Sequence, residues 1–199
     1  NRDDEEMFKR YGLFGSARRV QIAGSGVDIE EFRPVPAKKD PVTFLLIARL
    51  LEKKGVREYC KAASILRKTQ ENVRCLVVGP PGKGYDGLSC EEVQQWETEG
   101  AIEYLGRLDD VRPAIRESSV YVLPSHREGT PRTVLEAMAM ARPVITTDVP
   151  GCRETVKDGI NGFLIPVQDV EALTNAMMRF VEEPDLRSEE RRVGKECVS

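Results

Sequence analysis

Along the chain, short apolar runs alternate with longer stretches in which apolar residues recur every three or four positions. The runs are residues 19–24 (RVQIAG), 42–50 (VTFLLIARL), 73–79 (VRCLVVG), 101–106 (AIEYLG), 119–125 (SVYVLPS), 143–148 (PVITTD) and 162–167 (GFLIPV). Several are unbroken in Val, Ile and Leu, the pattern of strands buried on both faces. The periodic stretches predict helices over 55–69, 90–99, 109–118, 131–141 and 169–183. The first would place Val56, Tyr59, Cys60, Ala63 and Leu66 on one face. Strand–helix alternation of this kind predicts an α/β class fold, a Rossmann-like doubly wound parallel sheet. The Pro- and Lys-rich segment 32–42 (FRPVPAKKDPV) reads as a linker. Residues 1–35 therefore read as the end of a preceding N-terminal domain with its linker, and 36–186 as one ligand-binding domain. The stretch 187–199 (RSEERRVGKECVS) has neither period. It resembles the translation of a sequencing adapter and is expected to be a non-native tail.

Composition narrows the class. Of the 199 residues, 40% are hydrophobic and 32% charged, ordinary for a globular protein. A net charge of −3 and a pI near 5.5 argue against nucleic acid as a partner. No apolar run reaches the roughly 18 residues of a membrane helix. The opening NRDDEEMFKR does not read as a signal peptide. The five cysteines, Cys60, Cys75, Cys90, Cys152 and Cys197, form no C-x-x-C pair, so no zinc or redox site is signalled. Cys60 and Cys75 fall on apolar positions and read as core. This usage predicts a reducing compartment, the cytoplasm.

In a doubly wound sheet, ligands bind at the carboxyl ends of the strands. The loop ARLLEKKGV follows a strand and carries Arg49 and Lys54 just before a helix, a pattern suited to phosphate or diphosphate; solvated surface cations are the alternative. GPPGKGYDG (79–87) resembles a P-loop but lacks the Lys-Ser/Thr pair after its last glycine, and reads as a flexible turn over the crevice. GSGVDIE (24–30) lacks the third glycine of a dinucleotide fingerprint. In HREGTPRTVLEAMAMARPVIT (126–146), Thr130 reads as an N-cap and Pro131 as the first helical residue. Free amides at Arg132 and Thr133 would then make a second anion site. Glu136 is the only charge between Thr133 and Ala141. A buried carboxylate there needs a partner, either an internal cation or ligand hydroxyls. One carboxylate on each side of a diphosphate, Glu128 and Glu136, suits a ligand with hydroxyls at both ends. His126, the sole histidine, has no sequence neighbour to make it an acid–base group and reads as lining the loop.

The stretch EGTPRTVLE resembles the E-x7-E motif of retaining GT-B glycosyltransferases. With GSGVDIEEFRPVP, ARLLEKKG, LVVGPPG, EYLGRLDDV and the run from VYVLPSHREG to INGFLIP, the chain is similar to the C-terminal, donor-binding domain of glycosyltransferase family 4 over about residues 16–183. Ala141 departs from the family's usual glycine, which puts the local geometry in question. The resemblance implies a nucleotide-diphosphate sugar donor, a UDP-sugar, and transfer of a hexosyl group. Glu128 would hold the sugar hydroxyls, with the backbone of Gly129, Thr130 and Pro131 nearby, and Glu136 the ribose. Arg49 and Lys54 would neutralise the diphosphate, with the amides of Thr133 and Val134 directed at it. Leu105, Gly106 and Arg107 would border the base. No metal or other cofactor is implied. The similarity is nearest to bacterial enzymes of capsule, O-antigen and lipid-linked glycan synthesis. It implies a lipid-linked or polysaccharide acceptor bound through a missing N-terminal domain, and work at the inner face of the plasma membrane with only peripheral membrane association. This piece alone would bind the donor and transfer nothing. A GT-B epimerase or phosphorylase, or a non-catalytic nucleotide-binding module, stays open as an alternative.

Overall fold

The computed structural model describes residues 2–13, 15, 26–38, 40–82 and 84–187. The predicted strand at 19–24 and all but the first residue of the tail 187–199 lie outside the described residues. Six strands form one parallel sheet: β1 (Val42–Ile47), β2 (Val73–Val78), β3 (Glu103–Tyr104), β4 (Val120–Leu123), β5 (Val144–Thr147) and β6 (Gly162–Ile165). Their spatial order is β3-β2-β1-β4-β5-β6. The chain winds outward through β1, β2 and β3, then restarts at β4 beside β1 and winds the other way.

Six helices accompany the sheet: α1 (Arg2–Arg10), α2 (Val56–Thr69), α3 (Cys90–Thr98), α4 (Arg112–Glu117), α5 (Arg132–Ala139) and α6 (Val170–Glu182). The sheet is buried on both faces. Phe44 and Leu46 point into a layer with α2, α3 and α6, whereas Leu45 and Ile47 point into a layer with α4 and α5. On α2 the face buried against the sheet includes Val56, Tyr59, Cys60, Ala63 and Leu66, as its period predicts. Cys60, Cys75 and Cys152 are buried free thiols, and burial pushes Cys152 up to about 11 and Cys75 up to about 12.

Three elements differ from the sequence reading. The predicted strand over 101–106 pairs only through Glu103 and Tyr104, being an edge strand. The helix predicted over 109–118 begins at Arg112, because the Asp110 carboxylate accepts the Arg112 amide at 3.0 Å and holds the chain in a turn before it. The N-terminal segment carries α1, missed for want of an apolar period. Asp3, Asp4 and Glu5 at its start and Lys9 and Arg10 at its end complement the helix dipole.

The linker is packed rather than free. Phe32 is buried in the α4–α5 layer, and the Val35 carbonyl accepts from Arg142 at 2.7 Å. Arg142 is fully buried. Its guanidinium also donates to the carbonyls of Ile115 (2.9 Å), Met140 (3.0 Å) and Arg116 (3.1 Å). One side chain thus joins the linker, the end of α4 and the end of α5. Just before it, α5 ends in a Schellman turn: the Ala141 amide donates to Met138 at 2.8 Å and the Arg142 amide to Ala137 at 2.9 Å. Ala141 takes φ 61° there. The departure from glycine therefore sits at a left-handed position, at a local cost of about 1–2 kcal/mol.

Replacing Arg142 by Ala strands several carbonyls inside the fold. We expect a loss of about 3 kcal/mol or more in unfolding free energy. It should be read as a lower urea midpoint at unchanged m. A loss below about 1 kcal/mol would show that water takes over these carbonyls.

Candidate functional site

The switch in winding places the carboxyl ends of β1 and β4 side by side, and a crevice opens there. After β1 the chain passes Arg49, forms a short 3₁₀ turn (Glu52–Lys54) and enters α2 through Gly55. Gly55 has φ 69°, and a Cβ on it would lie 2.0 Å from the Pro124 carbonyl oxygen. Only glycine lets the start of α2 meet the end of β4 backbone to backbone. That approach brings Lys54 to the 125–130 loop.

The Lys54 ammonium lies 2.6 Å from Glu128 Oε1, and the Ser125 hydroxyl donates to the same oxygen at 2.7 Å. Both charged side chains are mostly covered, at 24% and 12% exposure, so the pair is stronger than a surface bridge. The loop is supported from behind. Thr147 Oγ1 donates to the Ser125 carbonyl, and Thr146 Oγ1 to that of Leu123 at 2.7 Å. On its other side, Gly151 (φ 85°) seats so tightly that a Cβ would lie 1.5 Å from the Gly129 carbonyl oxygen.

α5 begins one residue later than the sequence suggests, at Arg132, with Pro131 at the N-cap and no side-chain cap. Thr130 is not the cap: the ring of Pro131 stays in an extended conformation (ψ 102°) instead of entering the helix. The Val134 amide, expected to face a ligand, donates to the Pro131 carbonyl at 3.0 Å. The amides of Arg132 and Thr133 are left to face the crevice. Tyr121, buried on β4, fixes this end: its hydroxyl lies 2.6 Å from Thr133 Oγ1 and 3.2 Å from the Ile47 carbonyl.

Glu136 is buried, its side chain 8% exposed. Of the two partners the sequence leaves open, the unliganded protein shows an internal cation: Arg132 Nε, one turn earlier, lies 3.0 Å from its Oε1. The i,i+4 spacing of these residues was a readable signal. The pairing is partial. Burial raises the Glu136 carboxyl above the usual carboxylate range, and Arg132, itself 66% exposed, only partly offsets it.

The other candidates share the same sheet edge. Arg49 is exposed and has no ion pair among the described residues. Leu105 is 41% exposed beyond β3. The Gly106 carbonyl accepts the Gly79 amide at 2.9 Å, and Arg107 lies in solvent 3.6 Å from Asp109. No direct bond joins these three to the Lys54–Glu128 pair. The 79–87 segment is stitched to the β1 loop rather than loose: Leu50 donates to Pro80 at 3.0 Å, Glu52 to Asp86 at 2.8 Å and Leu88 to Leu50 at 2.9 Å. Sequence reasoning missed three contacts. His126 pairs through Nε2 with Glu58 Oε1 at 3.1 Å, a partner 68 positions away with no local signal. At the rim, Asp4 of α1 pairs with Arg127 at 2.7 Å, and Asp3 lies 3.6 Å from Arg153. Among the described residues no group of three or more His, Cys, Asp or Glu is placed to hold a metal ion, and no helix is long and apolar enough to cross a membrane.

The carboxyl end of the sheet thus gathers Arg49, Lys54, Glu128, Glu136 and the uncapped start of α5. Comparison with known proteins gives the family. The family model described as "Glycosyl transferases group 1" matches residues 28–196. The N,N'-diacetylbacillosaminyl-diphospho-undecaprenol alpha-1,3-N-acetylgalactosaminyltransferase of Campylobacter jejuni is 27% identical over 201 residues, covering 94% of this chain and 51% of that protein. The UDP-Gal:alpha-D-GlcNAc-diphosphoundecaprenol alpha-1,3-galactosyltransferase of Escherichia coli is 26% identical, covering 92% and 50%. Sucrose-phosphate synthase from Thermosynechococcus elongatus superposes with a TM-score of 0.80 at 26% identity, covering 98% of this chain and 51% of that one. The chain spans about half the length of the curated relatives it matches.

The raised Glu136 carboxyl makes a pH-dependent prediction. Ionised, it opposes folding; protonated, it does not. Glu136→Gln should raise the melting temperature of the unliganded protein at pH 8. The gain should shrink as pH falls through the raised Glu136 range and vanish below the ordinary carboxylate value, about 4.3. A difference independent of pH would count against this origin.

Proposed function

The chain belongs to the glycosyl transferases group 1 family, and on that premise we propose that it is the donor-binding half of a retaining, family 4 glycosyltransferase that uses a UDP-sugar. The observation that carries this reading is the Lys54–Glu128 pair at 2.6 Å, set at the switch point beside the uncapped start of α5. Without ligand, each charge neutralises the other. An arriving diphosphate draws Lys54 away and frees Glu128, which accepts hydrogen bonds from the sugar hydroxyls. Both charges stay partnered through the exchange, so the site avoids leaving a covered charge bare. Glu136, one turn into α5, exchanges Arg132 for the ribose hydroxyls in the same way.

In transfer, the bond from the sugar's anomeric carbon to the diphosphate oxygen breaks. The electron pair stays on that oxygen. Arg49, Lys54 and the amides of Arg132 and Thr133 receive the growing negative charge. The acceptor's hydroxyl oxygen bonds to the anomeric carbon on the face the phosphate leaves, and the departing phosphate takes that hydroxyl's proton, which retains the anomeric configuration. In this reading the two cations supply the positive charge, and no step is assigned to a metal or cofactor. Leu105, Gly106 and Arg107 border the base from the neighbouring strand end. UDP is proposed because the E. coli relative's name specifies UDP-Gal. A lipid-linked acceptor is proposed because both curated relatives' names specify diphosphoundecaprenol sugars. The acceptor would be held by the half of the relatives' length that this chain does not span, at the cytoplasmic face of the membrane. Alone, this chain would bind donor without turnover.

Calorimetry with UDP and uridine separates the roles. Lys54→Ala combined with Arg49→Ala should weaken UDP by at least about tenfold and leave uridine unchanged, since charge-assisted phosphate contacts are lost. Glu136→Ala should weaken both ligands alike. Wild-type UDP affinity in the double variant would refute the diphosphate role.

A further inference from the structure

The His126–Glu58 contact lies beside the donor machinery and has no part in the exchange just described. His126 is two residues before Glu128, and Glu58 is on the first turn of α2, four residues after Lys54. Their side chains are mostly covered, at 18% and 13% exposure. Facing an acceptor-only carboxylate, Nε2 carries the proton and donates over 3.1 Å. The His126 amide also donates to the Lys53 carbonyl at 2.9 Å. The 125–128 loop and the 53–58 segment are therefore joined by three bonds, and only one of them, Lys54–Glu128, is broken when a phosphate recruits Lys54. The pair is not built for stability alone. Glu58 Oε2 is the one buried side-chain nitrogen or oxygen without a partner among the described residues. Two apolar side chains would fill the same space without stranding an oxygen.

We propose that His126 and Glu58 are positioning residues, a ligand-independent tether that keeps Glu128 at the sugar subsite after Lys54 has left it for the diphosphate. The proposal rests on the donor role of Glu128 argued above. The tether acts only on Glu128's grip on the sugar. Contacts to the nucleotide come from α5, Arg49, Lys54 and residues 105–107, none of which bonds to the side chain of His126 or Glu58, and the backbone bond from His126 to Lys53 survives their truncation. Loss of the tether therefore changes the ratio of two affinities and not affinity in general.

The test measures that ratio by calorimetry on the chain. UDP is compared with a panel of UDP-hexoses, and the one with the largest gain over UDP is carried forward. His126→Ala and Glu58→Ala truncate the tether from opposite sides, so a folding defect in one leaves the other to answer. His126→Gln keeps a donor at similar reach. We expect either truncation to lower the sugar's gain over UDP by about tenfold, with UDP itself within twofold of wild type, and His126→Gln to restore most of the gain. A gain unchanged in the truncations overturns the tether, as does equal weakening of UDP and UDP-hexose, the mark of a merely structural role. A wild-type chain that binds UDP but gains nothing from any sugar also overturns it. A wild-type chain that binds no probe overturns the donor reading, and the tether with it.

Discussion

The contact of Gly55 with Pro124 is the constraint on which the site rests. A doubly wound sheet sends the chain leaving β1 and the chain leaving β4 to opposite faces. It does not fix how close the following loops come. A residue without Cβ at the entry to α2 closes that distance to backbone contact. Lys54 then reaches Glu128, His126 reaches both Lys53 and Glu58, and the start of α5 lies alongside under the hydroxyl of Tyr121. The bonds of Lys54 and His126 across the two loops are short, and a small separation of the loops would break them.

The charges at this crevice are arranged in replaceable pairs. Glu128 and Glu136 both have a cation in the unliganded protein, and in both pairs the cation is the more exposed partner. Glu128 is also held by the Ser125 hydroxyl, so it keeps a partner when Lys54 is drawn away. That arrangement suits a ligand whose centre is anionic and whose ends are hydroxylated. It also explains why Glu136 survives in an otherwise apolar helix: Arg132 covers it in part, and its carboxyl remains raised by burial.

Much of the fold was legible because parallel strands buried on both faces leave continuous apolar runs, as in VTFLLI and VRCLVV, and α2 and α6 show clean periods. What depends on edges or on non-helical caps was not. β3 is an edge strand paired through two residues only, and α1 has just two apolar residues, Met7 and Phe8, to mark a face. In the site, the identity of Lys54, Glu128 and Glu136 as charged residues out of place was readable, and so was Arg132 at helical spacing. Glu58 was not, since its partner is distant in sequence and its own helix gives it no distinction. The Gly/Pro segment at 79–87 was misread as loose because composition reports what a backbone can do, not the hydrogen bonds it finds.

Helix α5 is held at both ends by groups other than its first amides. Its far end is clamped by the Schellman turn at Ala141 and by the buried guanidinium of Arg142. Its near end has no capping side chain and is fixed instead by the hydroxyl of Tyr121 at Thr133 Oγ1. The strain of an alanine in left-handed conformation is borne at the end away from the crevice. The amides of Arg132 and Thr133 take no part in either anchorage, so they can be spent on a ligand without loosening the helix that presents them.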